Sequence, residues 1–373
     1  MIYFDNAATT KPNERALSKA QDFLSSRYFN PSAVYREGFE LQKELKGARE
    51  KILSLIADSA RFELVFTSCG TEADNTAIFS AARRGNAVTT LGEHSAVFAS
   101  FAELKNRGIE TRFASLHADG SVDVSSLLSL VDEKTSLVSV IHVNNETGAI
   151  NDVNEIARRV KEINPRALVH VDGVQAFGKL PFKIGKDVDF YAFSSHKIGG
   201  LKGTGGLIKK KGLKLNPYLL GGGQENGLRS GTENVFGIKV TEFACEEQFS
   251  SRETKLAAMK KKREVLLSLL SDLFVPVCKD GSPYILTLSA KGVRGEILLH
   301  RVNDRGLLIG TGSACSSNSK RRYSRVILAC GMSEGEADGV IRLSFSDQTT
   351  EEECRAAATI LNEEAARLKE ELR

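Results

Sequence analysis

Val188-Asp189-Phe190-Tyr191-Ala192-Phe193 is a short apolar run that ends in Ser194-Ser195-His196-Lys197 and then enters Gly199-Gly200-Leu201-Lys202-Gly203-Thr204-Gly205-Gly206. Its apolar residues are continuous rather than alternating, as a strand buried on both faces requires. The same unit recurs upstream. Short β-favouring runs at Leu64-Val65-Phe66, Ala87-Val88-Thr89, Leu137 to Val143 and Ala167 to Val171 alternate with segments of helical period at Glu72 to Arg83, Ala96 to Asn106, Val124 to Leu130 and Val153 to Ile163. That order predicts an α/β domain, with a mostly parallel sheet covered by helices on both faces. Ligands bind such sheets at the carboxyl ends of the strands, where Thr67 to Asn75, Asn144 to Thr147, Asp172 to Gln175 and Ser194 to Lys197 fall.

Outward from this block, Ile2-Tyr3-Phe4 reads as extended, Asn6 to Asn13 as a loop closed by a helix cap at Asn13, and Ala16 to Leu24 and Glu37 to Ile56 as helical. The charged segment Glu246 to Arg263 reads as a helical connector into a second lobe. That lobe holds Tyr284 to Leu288, a helix around Glu296 to Val302, Leu307-Leu308-Ile309, Val340 to Phe345 and a terminal helix from Thr350 to Leu372. The expected division is a large domain over 12–250 and a smaller α+β domain over 1–11 and 251–373. The smaller one carries a mobile loop at about 310–326.

The totals exclude more than they assign. A chain of 373 residues with 41% hydrophobic and 26% charged content is an ordinary globular enzyme by composition. Lys+Arg 51 against Asp+Glu 47 leaves +4, too weak by itself to argue for nucleic acid. A basic-then-apolar leader is missing from the first residues, and the longest apolar runs are too short to span a bilayer, so the expectation is a cytoplasmic protein without a membrane partner. Six cysteines without a C-x-x-C pair disfavour a zinc site and a disulfide framework; no metal is expected, and a cysteine that matters acts as a thiol.

Several residues carry chemistry, each with a plainer reading beside it. A Schiff-base lysine needs a fixed, partly desolvated place near phosphate-holding groups, which the Ser-Ser-His-Lys turn at Lys197 supplies; taken alone it is also a surface lysine after a strand. Cys69-Gly70-Thr71-Glu72 between a strand and a helix presents backbone amides and the Thr71 hydroxyl as a phosphate cradle, or is simply a small-residue turn. Asp172, with Gln175 three residues on, pairs with a protonated ring nitrogen or caps a helix. His94 stacks on a flat ring, moves a proton, or is polar surface, and Asn145 in Asn144-Asn145-Glu146-Thr147-Gly148 is a site residue or part of a turn. Cys315, among small polar residues with cations just downstream, reads as an exposed thiol biased towards thiolate. Arg342 interrupts an apolar strand and needs a planar anion, either a neighbouring carboxylate or a substrate's.

Taken together the chain resembles the cysteine desulfurases of the class V aminotransferase-like, pyridoxal-phosphate-dependent group. The resemblance runs through Tyr3 to Thr10, Asn30-Pro31-Ser32, Thr67 to Asn75, Glu93-His94, His142 to Gly148, His170 to Gln175 and Ser194 to Lys197. It continues in Gly221 to Glu225, Arg229-Ser230-Gly231-Thr232, Gly312 to Cys315 and Arg342. It implies the aspartate aminotransferase-like fold, with a seven-stranded type of sheet in the large domain. The cofactor would be pyridoxal 5′-phosphate on Lys197, with Asp172 at its ring nitrogen, Gln175 at its phenolic oxygen and His94 stacked on the ring. Gly70, Thr71, Ser194 and His196 would hold the phosphate, joined by Thr232 from the second subunit of a homodimer. Arg342 and Asn145 would hold the carboxylate of L-cysteine, and Cys315 would become a persulfide and pass its sulfur to an acceptor protein for iron-sulfur cluster assembly or thiolation.

The form Gly312-Ser313-Ala314-Cys315 resembles the nitrogenase and iron-sulfur-cluster type. Tyr35, Gly173, Gly199, Leu201 and Asn226 depart from that pattern, where a histidine, an alanine, an aromatic, a proline and a basic residue are usual. Lys320, Arg321, Arg322 and Arg325 form a basic cluster that docks an acidic acceptor or transfer RNA, or is a solvated loop. A selenocysteine lyase, an aminotransferase and a non-enzymatic assembly scaffold are the competing readings; a nucleophilic Cys315 speaks against transamination and an intact Lys197 against the scaffold.

Overall fold

A computed structural model describes residues 1–311 and 323–371. The chain opens with the short strand β1 (Ile2–Tyr3), then helices α1 (Glu14–Ala20), α2 (Asp22–Ser25) and α3 (Arg36–Ile56). Asn13 caps α1 as expected, accepting from Ala16 N at 2.9 Å. The helical stretch around Ala16 to Leu24 is two short helices that meet at Gln21, whose backbone stays helical (φ −50°, ψ −39°) but whose N–H bonds three residues back, to Ser18 O.

The alternating block follows as β2 (Phe62–Thr67), α4 (Gly70–Ala81), β3 (Asn86–Thr90), α5 (Ser95–Asn106), β4 (Glu110–Ala114) and α6 (Val124–Ser129). It continues with β5 (Thr135–Ile141), α7 (Val153–Ile163), β6 (Leu168–Asp172), β7 (Phe190–Ser194) and β8 (Gly205–Lys210). The seven strands from β2 to β8 form one sheet in the order β2-β8-β7-β6-β5-β3-β4. It is parallel except at β8, which runs antiparallel to both neighbours. Two of its strands lie outside the expected runs. β4 is a partly exposed edge strand carrying Glu110 and Arg112, and β8 starts inside the glycine-rich segment, so neither shows a buried strand's pattern.

Helices cover the sheet because each offers one apolar stripe. In α7, Val153, Ile156, Ala157 and Val160 are buried at the spacing of one helix face, and Asp152 caps the first turn by accepting from Glu155 N. α4 is buried nearly all round, wedged against the sheet with its N-terminus at the strand ends.

The remaining elements are α8 (Val235–Ser250), α9 (Arg252–Leu269), β9 (Phe274–Pro276), β10 (Ile285–Ala290), α10 (Gly295–Asp304), β11 (Leu307–Leu308), β12 (Gly310–Thr311), α11 (Arg325–Ala329), α12 (Glu334–Asp338), β13 (Val340–Ser344) and α13 (Glu351–Glu371). The expected connector is broken at Ser251 between α8 and α9. Strands β12-β13-β10-β9 make a second, four-stranded sheet with its own core, including Leu286, Leu288, Ile341, Leu343 and Leu361. β1 pairs with β11, so the first residues of the chain belong to this second core. Among the described residues no helix is long and apolar enough to cross a membrane.

Candidate active site

At the carboxyl ends of the parallel strands lies a cavity of about 240 Å³. α4 contributes Gly70 and Thr71 from its first turn, and the cap of α5 contributes His94. Asn145 comes from the turn after β5, Asp172 and Gln175 from the turn after β6, and Ser194, His196 and Lys197 from the end of β7 and the turn beyond it. Arg342 closes the cavity from β13 of the other sheet. One wall thus gathers residues 272 positions apart in sequence, from Gly70 to Arg342. A wider cavity, about 700 Å³, lies on the far side of His196 against Tyr3, Pro12 and Leu201, away from the buried acids.

Lys197 is half-buried, and its amine donates to the carbonyls of Ala7 (2.5 Å) and Ala8 (2.8 Å). Gln175 Nε2 donates to the same Ala7 oxygen at 2.9 Å. Asp172 accepts from Val174 N at 3.0 Å, and burial raises its pKa although His94 and Lys197 pull it down. His94 Nδ1 accepts from Ala96 N at 3.2 Å, which leaves the other ring nitrogen to carry hydrogen. Burial lowers the His94 pKa against the pull of Asp172, so the ring is kept neutral. Burial, then Lys197 and Lys202, bring His196 down to about 4.

Asp74 and His170 stand 3.3 Å apart beneath the cavity, but burial pushes the carboxyl up and the imidazole down to about 3. Both shifts oppose charge on the pair, the carboxyl's being upward and the imidazole's downward. Glu93, one residue before His94, is raised to about 8 by burial and accepts from Thr90 Oγ1 and Ile141 N.

Arg342 is 3% exposed and already holds a carboxylate, Asp5, at 2.8 Å, while its second amine donates to Asn145 O at 2.9 Å. Among the described residues its Nε has no hydrogen-bond partner. A neighbouring carboxylate was one of the two anions its place in the strand demanded. The Gly221 to Thr232 segment is clamped twice to the rest of the molecule. Arg49 grips Glu225 through two bonds (2.6 and 2.8 Å), and Glu225 accepts from Phe66 N on β2. Arg229 holds Glu72 at 2.9 Å, and Glu72 accepts from Ser68 N at the start of the cradle. Thr232 is exposed and does not line the cavity of its own chain. Asn226 sits at φ 56°, a left-handed conformation that asparagine adopts more readily than a long basic residue.

Two other departures have local causes. Gly199 has φ 83°, where an aromatic side chain would be strained. Gly173 lies against Tyr191, whose ring carbons would stand 2.1 Å from an added Cβ; the Tyr191 hydroxyl is in turn bonded to His142 at 3.1 Å.

Cys315 and the cations Lys320, Arg321 and Arg322 lie outside the described residues. Arg325 is described and turns inward: it donates to Leu91 O and to Glu93 O and lies 3.8 Å over the Phe98 ring. It therefore does not belong to a solvated basic patch, because the backbone of the His94 loop supplies the acceptors that its guanidinium needs. Beside it, Ser324 donates to Glu146, whose carboxyl burial has raised.

Sequence reasoning missed two polar neighbours of this cavity, Asp74 and Lys179. Each stands four residues after a residue it did select, Gly70 and Gln175, and that one-turn spacing was the available signal. It also missed Asp5, which shares no local pattern with Arg342.

The residues fit a phosphorylated, ring-bearing cofactor. Among the described residues the Ser194 hydroxyl, buried on the cavity wall, has no hydrogen-bond partner and Asp172 is a buried acid without an ion pair, while Gly70 and Thr71 at the start of α4 line the same space. Among the described residues no cluster of His, Cys, Asp or Glu is placed to hold a metal.

Residues 2–356 match the family model described as aminotransferase class-V. A cysteine desulfurase of Trichormus variabilis is 35% identical over 381 residues, covering 99% of this chain and 94% of its own. A NifS/IcsS protein homolog of Lactobacillus delbrueckii is 35% identical over 365 residues, covering 95% and 94%. Among solved structures, a NifS-like protein superposes with a TM-score of 0.90 at 34% identity, over 98% of this chain and 99% of that one. A structure of SspA in complex with cysteine superposes with a TM-score of 0.80 at 27% identity, over 92% and 99%.

Proposed function

The chain belongs to the class-V aminotransferase family and is a cysteine desulfurase, and we propose that it works by pyridoxal-phosphate chemistry organised around Lys197 and Cys315. The observation that carries this reading is the meeting of Lys197, the buried acid Asp172 and the Ser194 hydroxyl, unpartnered among the described residues, on one cavity at the sheet's carboxyl edge. When bound there, pyridoxal phosphate draws electrons from the substrate's α-carbon.

The chain's own groups supply the rest. Lys197 holds the cofactor through its amine and afterwards moves the α-proton of L-cysteine. Asp172 sets its carboxylate against the ring nitrogen, and Gln175 donates to the phenolic oxygen. Gly70, Thr71, Ser194 and His196 take the phosphate. His94, kept neutral, stacks on the ring and carries hydrogen on Nε2 for proton transfer near the leaving sulfur. Arg342 and Asn145 bind the substrate carboxylate, which takes a place on the guanidinium beside Asp5.

Cys315 as thiolate attacks the substrate sulfur. A sulfur–sulfur bond forms, the carbon–sulfur bond breaks with its electron pair returning to carbon, and protonation gives L-alanine. The labour divides between a cofactor-binding domain over 12–250 and a cysteine-bearing domain over 1–11 and 251–373; the pairing of β1 with β11 and the separate four-stranded sheet support that reading. Thr232, exposed on a doubly clamped loop, serves the phosphate site of a second copy in a homodimer. An acceptor protein takes the sulfur for cluster assembly or thiolation in the cytoplasm.

The test is product formation from L-cysteine with a reductant. Wild type is expected to be coloured by its cofactor and to release alanine and sulfide. Lys197→Ala loses both colour and activity, and Cys315→Ala keeps the colour and loses the persulfide. An active Cys315→Ala would overturn the mechanism.

A further inference from the structure

Lys179 is 5% exposed, in the turn that follows β6, one turn beyond Gln175. Its amine donates to Gln175 Oε1 at 3.1 Å, and Gln175 turns its Nε2 to the Ala7 carbonyl that also receives Lys197. The charges facing Lys179 are mostly of its own sign. Lys197 and Arg342 repel it, and Asp347, the acid among the described residues that attracts it, is already paired with Lys255 at 2.6 Å. Tyr284 offers only its ring face, 5.7 Å away. Burial and Lys197 bring the amine down to about 7. A lysine buried among cations destabilises the fold unless its N–H groups do something there.

We propose that Lys179 is a positioning residue, which by donating to Gln175 Oε1 fixes the amide so that its NH₂ faces the Lys197 side of the cavity. This rests on the pyridoxal-phosphate reading above. A primary amide is nearly symmetric in shape, so packing alone does not choose between its oxygen and its nitrogen. Its two partners choose: the Ala7 carbonyl takes Nε2, and Lys179 holds Oε1, because a lysine amine has N–H to give whether it is charged or neutral. Ala7 O is shared with Lys197, so Lys179 is the partner that holds the amide when Lys197 is engaged elsewhere. The orientation matters because the cofactor's phenolic oxygen is an acceptor. Facing it with Gln175 Nε2 makes a bond, and facing it with Oε1 sets two acceptors together.

The experiment is titration of each apoprotein with pyridoxal 5′-phosphate, followed by its visible absorbance, for wild type, K179M, K179R, Q175A and K179M/Q175A. K179M is expected to bind the cofactor about tenfold more weakly and to shift the pH midpoint of the visible band. K179R, which keeps a donor, restores most of both. The double variant behaves as Q175A alone, because Lys179 acts only through the amide. K179M equal to wild type, or two effects that multiply in the double variant, overturns the proposal.

Circular dichroism checks that each apoprotein folds. Should K179M be unfolded, Q175E serves instead: a carboxylate held by Lys179 has no donor to offer and must bind the cofactor at least as weakly as Q175A. Q175E binding like wild type overturns the proposal. Wild type that takes up no pyridoxal phosphate overturns the cavity reading and this one together, whereas wild type that binds alongside an unchanged K179M overturns this one alone.

Discussion

Buried acids occur on both sides of the cradle that opens α4, and they keep opposite company. On the side of the Gly221 to Thr232 segment, Glu72 meets Arg229 and Glu225 meets Arg49, each with a backbone N–H as a second donor. Burial pushes Glu72 up, yet its bonds to Arg229 and Ser68 outweigh that and leave it below the usual carboxylate range. On the cavity side, Asp74, Glu93 and Asp172 are equally buried and all three are raised. Guanidinium groups of the chain meet the first set. Among the described residues the second set has only hydroxyl or backbone donors, such as Thr90 and Ile141 at Glu93 and Val174 at Asp172, and no Lys or Arg ion pair. Raised buried acids of that kind mark candidate sites, and paired ones mark scaffold.

The strongest way to break the contrast is at Asp172. Asp172→Asn keeps the shape and removes the charge that a ring nitrogen needs, so alanine formation should fall by about 10²–10³-fold with cofactor still bound. A loss below tenfold would move Asp172 to the scaffold side. The converse change is Arg49→Ala, which strands Glu225, whose side chain is 3% exposed, without its guanidinium. Urea unfolding should show a loss of about 3 kcal/mol. A variant as stable as wild type would mean that the clamp is not structural.

The third change sharpens the contrast through pH. Glu93 has a folded pKa of about 8 against an ordinary 4.5, so the folded chain holds a proton that the unfolded chain has released. Its contribution to stability therefore falls as pH rises through that window, by at most about 1.4 kcal/mol per pH unit. Glu93→Gln keeps the oxygen that accepts from Thr90 and Ile141 N and should flatten that part of the profile. Parallel stability curves for the two proteins would show that Glu93 is not held protonated.

What the sequence made legible follows from how local each signal is. Strands buried on both faces, such as β7, announce themselves as unbroken apolar runs, and the residues at their ends are then placed by the sheet itself. β4 and β8 do not, since one is a half-exposed edge and the other begins in glycines chosen for close approach to Phe193 and Cys69. Lys197, Asp172 and His94 were readable because each sits at a strand end or a helix cap. Asp74 and Lys179 were not, because they lie one turn deeper, where a charged residue looks like ordinary helix surface until packing reveals that it is buried. The Asp5–Arg342 pair spans 337 residues and belongs to the second sheet's closure, which no window of sequence contains.

Gly173 and Tyr191 have a consequence for exchanging residues with relatives. A Cβ at 173 would stand 2.1 Å from the Tyr191 ring, so an alanine there is accommodated only if that ring moves or gives way to a smaller side chain. The two positions are therefore coupled, and a residue transplanted at either of them alone arrives without its counterpart.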